Sequence, residues 1–330
     1  MRSASDFPPA AIRRAAYAAL ATAFVHIVFG AIVRISGSGM GCGDNWPKCY
    51  GYWFPPFDRP DLIIEVMHRY LASIVLIVTA VLVGLCFRHR ESPAVSGRGS
   101  VANSARGAFM LVIVTALFGA VTVKTANPAW ATVVHKLLAV SLLAVLVMTV
   151  VRAGGLGVRT AMERKGSVRA VGSATSAAIG ALLVVLMGGL TAKIPGAAIA
   201  CAGFPLCGDG SLGGGAQHVQ LTHRILAYLL VLQLVSMPFL FRKRGEPAPL
   251  QRAAWIGAAL GILQVVWAAW MVTGGFPGTV RSLHQATGIL IFVTAFTMTY
   301  LARIAAGRTT IAAQGANSPN APLLVPNPAR

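Results

Sequence analysis

Eight separate stretches of this chain are each long and apolar enough to cross a lipid bilayer, and no other feature restricts its fold so severely. They fall at 15–35, 65–87, 107–124, 131–151, 170–192, 220–241, 253–273 and 282–303, close to the roughly 20 residues that an α-helix needs to span the hydrocarbon core. Within that core every backbone N–H and C=O has to be bonded inside the segment, so runs of this length become helices. Charged residues make up only 11% of the 330, against about 25% in an ordinary soluble domain. The expectation is an all-α integral membrane protein with eight transmembrane helices. An even number of spans puts both termini on one side.

Charge identifies the side. Nineteen of the 28 lysines and arginines, among them Arg13, Arg14, Arg88, Arg152 and Arg242, lie on the N-terminal tail, on the three loops that share its side, or at the C-terminal end. The positive-inside bias therefore makes both termini cytoplasmic in a multi-pass cell-membrane protein. The net charge of +19 does not imply a nucleic-acid partner, because the basic residues flank spans and form no aromatic-interleaved basic domain. Anionic lipid headgroups are the expected partners. Arg13 and Arg14 precede an apolar run longer than a signal h-region, without a small-residue cleavage pattern after it, so that run is read as a retained span. Residues 1–14 and 304–330 are expected to be disordered cytoplasmic tails, their outer parts rich in Pro, Ala, Ser and Asn.

An internal repeat organises the rest. Arg34-Ile35-Ser36-Gly37 leads to Cys42, and Lys193-Ile194-Pro195-Gly196 leads to Cys201 at the same separation. Residues 65–72 then match 220–227, and the spacing from Pro128 to His135 equals that from Pro277 to His284. Two pseudo-symmetric four-helix bundles follow, 15–152 and 170–303, joined by a cytoplasmic linker at 153–169 and related by an axis along the membrane normal.

The repeat carries a histidine at the outer end of every second span: His68, His135, His223 and His284. Each is expected within about one turn of its helix start, so the four share a depth. A lone intramembrane histidine is commonly a core residue or a proton relay, but four at one depth read as two pairs of axial ligands, one haem iron per half. There is no Cys-x-x-Cys-His, so a haem would be held without thioether bonds. Zinc would need further ligands converging on each pair. His26, mid-span, is read as a hydrogen-bonded core residue before a catalytic one. His89 is read as solvated, and His218 as a surface residue close enough to His223 to approach a haem edge.

Four of the five cysteines form two short-range outer pairs, Cys42/Cys49 and Cys201/Cys207, and Cys86 is left as a free thiol. Disulfide staples on Gly-rich loops are one reading, and a redox-active thiol pair beside the haem is another. One position breaks the symmetry: Glu65, three residues before His68 and on its helix face, is replaced by Gln220 before His223. An acid there can move protons or orient water, which suggests a catalytic first half and an electron-carrying second half.

The run Gly37-Ser38-Gly39-Met40-Gly41-Cys42-Gly43-Asp44-Asn45-Trp46-Pro47-Lys48-Cys49, followed by Glu65-x-x-His68-Arg69, resembles the first outer loop and second helix of haem A synthases. The similarity covers all eight spans, and the form it resembles has a cysteine pair in each large outer loop. The resemblance implies oxidation of a ring methyl of haem O to the formyl group of haem A by successive hydroxylations and loss of water. It implies His68 and His135 as ligands of the substrate haem, His223 and His284 as ligands of a resident haem b, and Glu65 as the essential acid. Haem O synthase would supply the substrate, and the cytochrome oxidase assembly machinery would receive haem A; the membrane electron acceptor has no sequence signature. Arg69 and Arg224 are placed either to pair with haem propionates or to snorkel at the interface. A di-haem b electron carrier or quinol-linked oxidoreductase would use the same four histidines but would not need Glu65 in one half only. A parallel-repeat transporter would leave the matched histidines unexplained.

Overall fold

The computed structural model describes residues 7–163, 165–201, 203–208 and 214–311. Its helices are α1 (Ala10–Ile35), α2 (Pro60–Arg88), α3 (Pro93–Ser96), α4 (Val101–Lys124), α5 (Ala129–Arg152), α6 (Val158–Glu163), α7 (Val168–Thr191), α8 (Gly214–Lys243), α9 (Ala248–Thr273) and α10 (Gly278–Ala305). All but the short α3 and α6 are long and apolar enough to cross a membrane, so the eight expected spans are present. Residues 1–6 and 312–330, most of the two expected tails, lie outside the described residues.

Helix ends depart from the hydropathy boundaries for local reasons. The first span begins at Ala10, inside the expected tail, directly after Pro9, whose fixed φ suits a helix entry. Helix α2 begins at Pro60 with Asp61 in its first turn, five residues before the apolar run, because a proline at the first helical position loses no hydrogen bond and an acid there suits the helix dipole. The histidines accordingly sit deeper than one turn: at a rise of 1.5 Å per residue they lie roughly 9 to 14 Å from their helix starts. Ser100 and Ser167 cap α4 and α7 by accepting the N–H of Asn103 and Ala170, each such cap contributing about 1 kcal/mol.

Packing reproduces the repeat. In the first half α1 packs on α2, α2 on α4, α4 on α5, and α5 back on α1; in the second, α7, α8, α9 and α10 close a ring in the same order. The halves meet through α5 on α10, α1 on α10 and α5 on α7. Exchanging the halves turns the last two contacts into each other and leaves the first unchanged, as a pseudo-two-fold requires. The turns into α5 and α10 also match: Asn127 and Phe276, each just before the proline, have φ of 59° and 62°.

Polar contacts fasten the seam at both ends. At the loop-rich end Arg34 donates to Oε1 of Gln285 at 3.1 Å, and Lys193 Nζ donates to the Asn127 carbonyl at 2.9 Å. Partial burial and the nearby Arg34 hold Lys193 below the usual lysine range. At the opposite end Arg152 reaches the Tyr300 hydroxyl at 2.8 Å and the Ser100 carbonyl at 3.2 Å. Buried Glu246 accepts from the backbone N–H and hydroxyl of Ser167, which ties the linker to the α8–α9 turn.

Candidate haem-binding site

Each of the four sequence-predicted histidines lies on the inner face of its bundle, and glycine explains how three of them fit. A Cβ on Gly30 of α1 would stand 3.0 Å from Cε1 of His68, one on Gly119 of α4 would stand 3.2 Å from Cε1 of His135, and one on Gly188 of α7 would stand 3.0 Å from Cε1 of His223. Each imidazole therefore brings its Cε1 corner up to a backbone position that carries no side chain, an approach that an added Cβ would crowd. His68 and His135 are electrostatic neighbours in the first half, as are His223 and His284 in the second.

All four imidazoles leave Nδ1 buried without a hydrogen-bond partner. Buried polar atoms are ordinarily paired, so the same orphaned atom at four repeat-related positions is a property of the site. Two buried imidazoles per bundle are a donor set suited to an iron porphyrin. Among the described residues no group of three or more His, Cys, Asp and Glu residues converges as a compact metal cage would require. The residues fit the haem reading and not the zinc one.

Sequence reasoning missed two neighbours. His26 was read as hydrogen-bonded core, but its Nε2 is buried without a partner and its ring lies 4.3 Å from that of His68, centroid to centroid. It is a wall of the first site. Gln264 of α9 donates to the carbonyl of His284 at 3.0 Å and lies 3.2 Å from Nε2 of the same ring. Nothing in the spacing of Gln264 marks it, because the contact depends on how α9 is rotated against α10.

The outer loops are built alike in both halves. Both expected cysteine pairs are bridged, Cys42 to Cys49 and Cys201 to Cys207, and Cys86 is free and buried. Glu65, 4% exposed, accepts the Cys42 N–H at 2.9 Å and pairs with Arg69 at 2.6 Å. Gln220 accepts the Cys201 N–H at 2.7 Å and donates to the Ala198 carbonyl at 3.1 Å. Arg69 donates to the carbonyls of Asn45, Pro47 and Lys48, and Arg224 to those of Cys201, Gly203, Pro205 and Leu206. Both guanidinium groups thus spend their terminal nitrogens on loop carbonyls. His218 is exposed and bonds the Gly214 carbonyl one turn back within α8.

Beneath the second loop lies a cavity of ≈ 180 Å³ whose wall includes His223, His284, Gln264, Gln220 and Arg224. Apolar side chains such as Val184, Val231 and Met271 supply much of the rest. A slot with apolar walls and a few placed polar groups is the form that cofactor sites take.

Two four-helix halves, each with a pair of buried imidazoles under a disulfide-closed outer loop, define a polytopic helical membrane protein built to hold porphyrin iron. The chain belongs to the COX15-CtaA family of cytochrome oxidase assembly proteins, whose model matches residues 13–296. It is similar to the heme A synthase of Symbiobacterium thermophilum, 30% identical over 290 residues that cover 85% of this chain and 91% of that protein. It is also similar to the heme A synthase of Exiguobacterium sp. strain AT1b, 27% identical over 262 residues (78% of this chain, 82% of that protein). That of Geobacillus thermodenitrificans is 29% identical over 257 residues (75% and 76%). With eight apolar helices and these bacterial relatives, it is a multi-pass cell-membrane protein.

Proposed function

We propose that this protein is a haem A synthase, which oxidises a ring methyl of haem O to the formyl group of haem A. The observation that carries the reading is the doubled site: one buried imidazole pair per half, alike in loop support and in the glycine against the first histidine of each pair, with an acid above only one of them. The first half takes haem O as substrate between His68 and His135. The second half holds a resident haem b between His223 and His284, and that group supplies one-electron transfer when bound. Both termini lie in the cytoplasm, which places the disulfide loops and Glu65 on the outer side.

The chain's own residues divide the work. His68 and His135 fix the substrate ring, while Gly30 and Gly119 set the imidazole planes by leaving room for them. Stepwise hydroxylation of a methyl to a formyl group, with loss of water, removes protons as well as electrons from the carbon. Glu65 is the buried acid of α2, one turn before His68, and it shares its carboxylate between the Cys42 N–H and Arg69. It handles a proton, or positions water, at the outer edge of the substrate. The second half needs no such acid and keeps Gln220 for the loop alone. Haem O synthase delivers the substrate, and the oxidase assembly machinery takes the product.

Expression in cells that make haem O, followed by chromatography of the extracted haems, tests the proposal. Haem A should appear with the protein and not without it. Unconverted haem O beside a fully loaded protein would favour the di-haem electron carrier instead.

A further inference from the structure

Besides Arg224, three cations line the second-half cavity, Arg34, Lys136 and Arg281, and among the described residues no aspartate or glutamate lines it with them. Among the described residues none of the three takes part in an ion pair, and the one side-chain partner of Arg34 is the neutral Gln285. Cations withdrawn from water in a membrane-embedded cavity are costly unless an anion meets them. The two arginines that sequence alone offers as anion partners, Arg69 and Arg224, have their terminal nitrogens committed to loop carbonyls. The cavity is therefore an apolar slot with unspent positive charge on its wall, open to a large flat ligand bearing carboxylates.

We propose that Arg34, Lys136 and Arg281 hold the two propionates of the haem between His223 and His284; this rests on the reading of that histidine pair as axial ligands. Arg281 comes one turn before His284 on α10, whereas Arg34 and Lys136 reach across from α1 and α5 of the other half. The resident haem is thus gripped by both halves at once. Repeat symmetry sharpens the assignment. The repeat-related counterparts are Lys193 for Arg34, Gln285 for Lys136 and Thr132 for Arg281, two of the three neutral. Lys193 is bonded to the Asn127 carbonyl at 2.9 Å, and Thr132 to the Asn127 side chain at 2.9 Å. Three cations retain the haem that stays; the matching positions of the repeat hold one cation, and that one is already bonded.

The test uses purified holoprotein in detergent and reads two quantities independent of turnover: the rate of haem loss to excess apomyoglobin and the midpoint potential of the resident haem. Lys136→Met and Arg281→Gln should each speed haem loss tenfold or more and shift the potential downward, because a removed cation no longer favours the reduced iron. Lys136→Arg should restore both. His284→Ala separates the layers. If it retains the resident haem, the axial reading falls. If it loses the haem while Lys136→Met and Arg281→Gln keep wild-type retention and potential, the axial reading stands and the propionate assignment is overturned. Should Lys136→Met fail to fold, Arg281→Gln carries the same test. An unchanged haem with loss of co-purifying anionic phospholipid from the variants would assign the cations to a lipid phosphate and equally overturn it.

Discussion

Glu65 and Gln220 occupy the same position in the two halves and make the same hydrogen bond, each accepting the backbone N–H of the first cysteine of its loop, at 2.9 and 2.7 Å. The architectural task is common to both halves, so it cannot explain why one of them carries an ionisable group. Glu65→Gln should therefore keep the loop, the disulfide and the haem content, because the second half shows that glutamine suffices for them. Conversion of haem O should fall by tenfold or more, with haem O or a hydroxylated intermediate accumulating. Chromatography of extracted haems decides it; wild-type haem A yield would refute the proton-handling role.

On the proposed assignment the second-half histidines hold one haem and leave the first site alone. His223→Ala and His284→Ala should each remove the resident haem while the first half stays folded, since the two rings of helices close separately. Pyridine haemochrome spectra measure the loss, and unchanged haem content in both variants would sink the assignment.

Glycine placement gives a prediction that depends on packing alone. Gly30→Ala and Gly188→Ala put a methyl 3.0 Å from an imidazole carbon, an overpacking expected to cost about 1–3 kcal/mol and to weaken haem retention. Gly84→Ala, in α2 with nothing within 4 Å of the added carbon, should instead be neutral or stabilising by up to about 1 kcal/mol. Thermal unfolding of the three variants in one detergent compares them directly; equal melting temperatures would contradict the contact.

The loops have two fastenings of different chemistry. Alkylation of denatured, unreduced protein should label Cys86 alone, because the other four cysteines are bridged. Arg224→Lys should leave the bridge intact yet loosen the loop, since an ammonium cannot reproduce a fork that meets four carbonyls. The expected cost is about 1–3 kcal/mol, read as faster proteolysis near 201–208. Proteolysis at the wild-type rate would show that the bridge alone holds the loop.

The spans, the repeat, the four histidines and both cysteine pairs were legible because each rests on spacing along one helix or on a match between halves. What depends on the rotation of one helix against another was not legible: the glycines under the imidazoles, Gln264 against His284, and the ring of His26 against His68. Arg69 and Arg224 were found for a sound reason, a cation one residue after a repeat-matched histidine, but nothing in the sequence shows that the folded loop turns its carbonyls toward them. Lys136 did leave a signal. It is a lysine inside an apolar run, which a membrane tolerates only with a partner or a purpose.

His135 and Lys136 are consecutive on α5, about 100° apart around its axis, so the one reaches into the first site and the other lines the second. A rigid helix with a contact in each site makes them a linked system. Any displacement of α5 that suits the ligand on one side alters the grip on the other, and such coupling runs equally in both directions. On the proposed assignment of the two sites, filling the first would thereby be registered at the second through a single peptide bond.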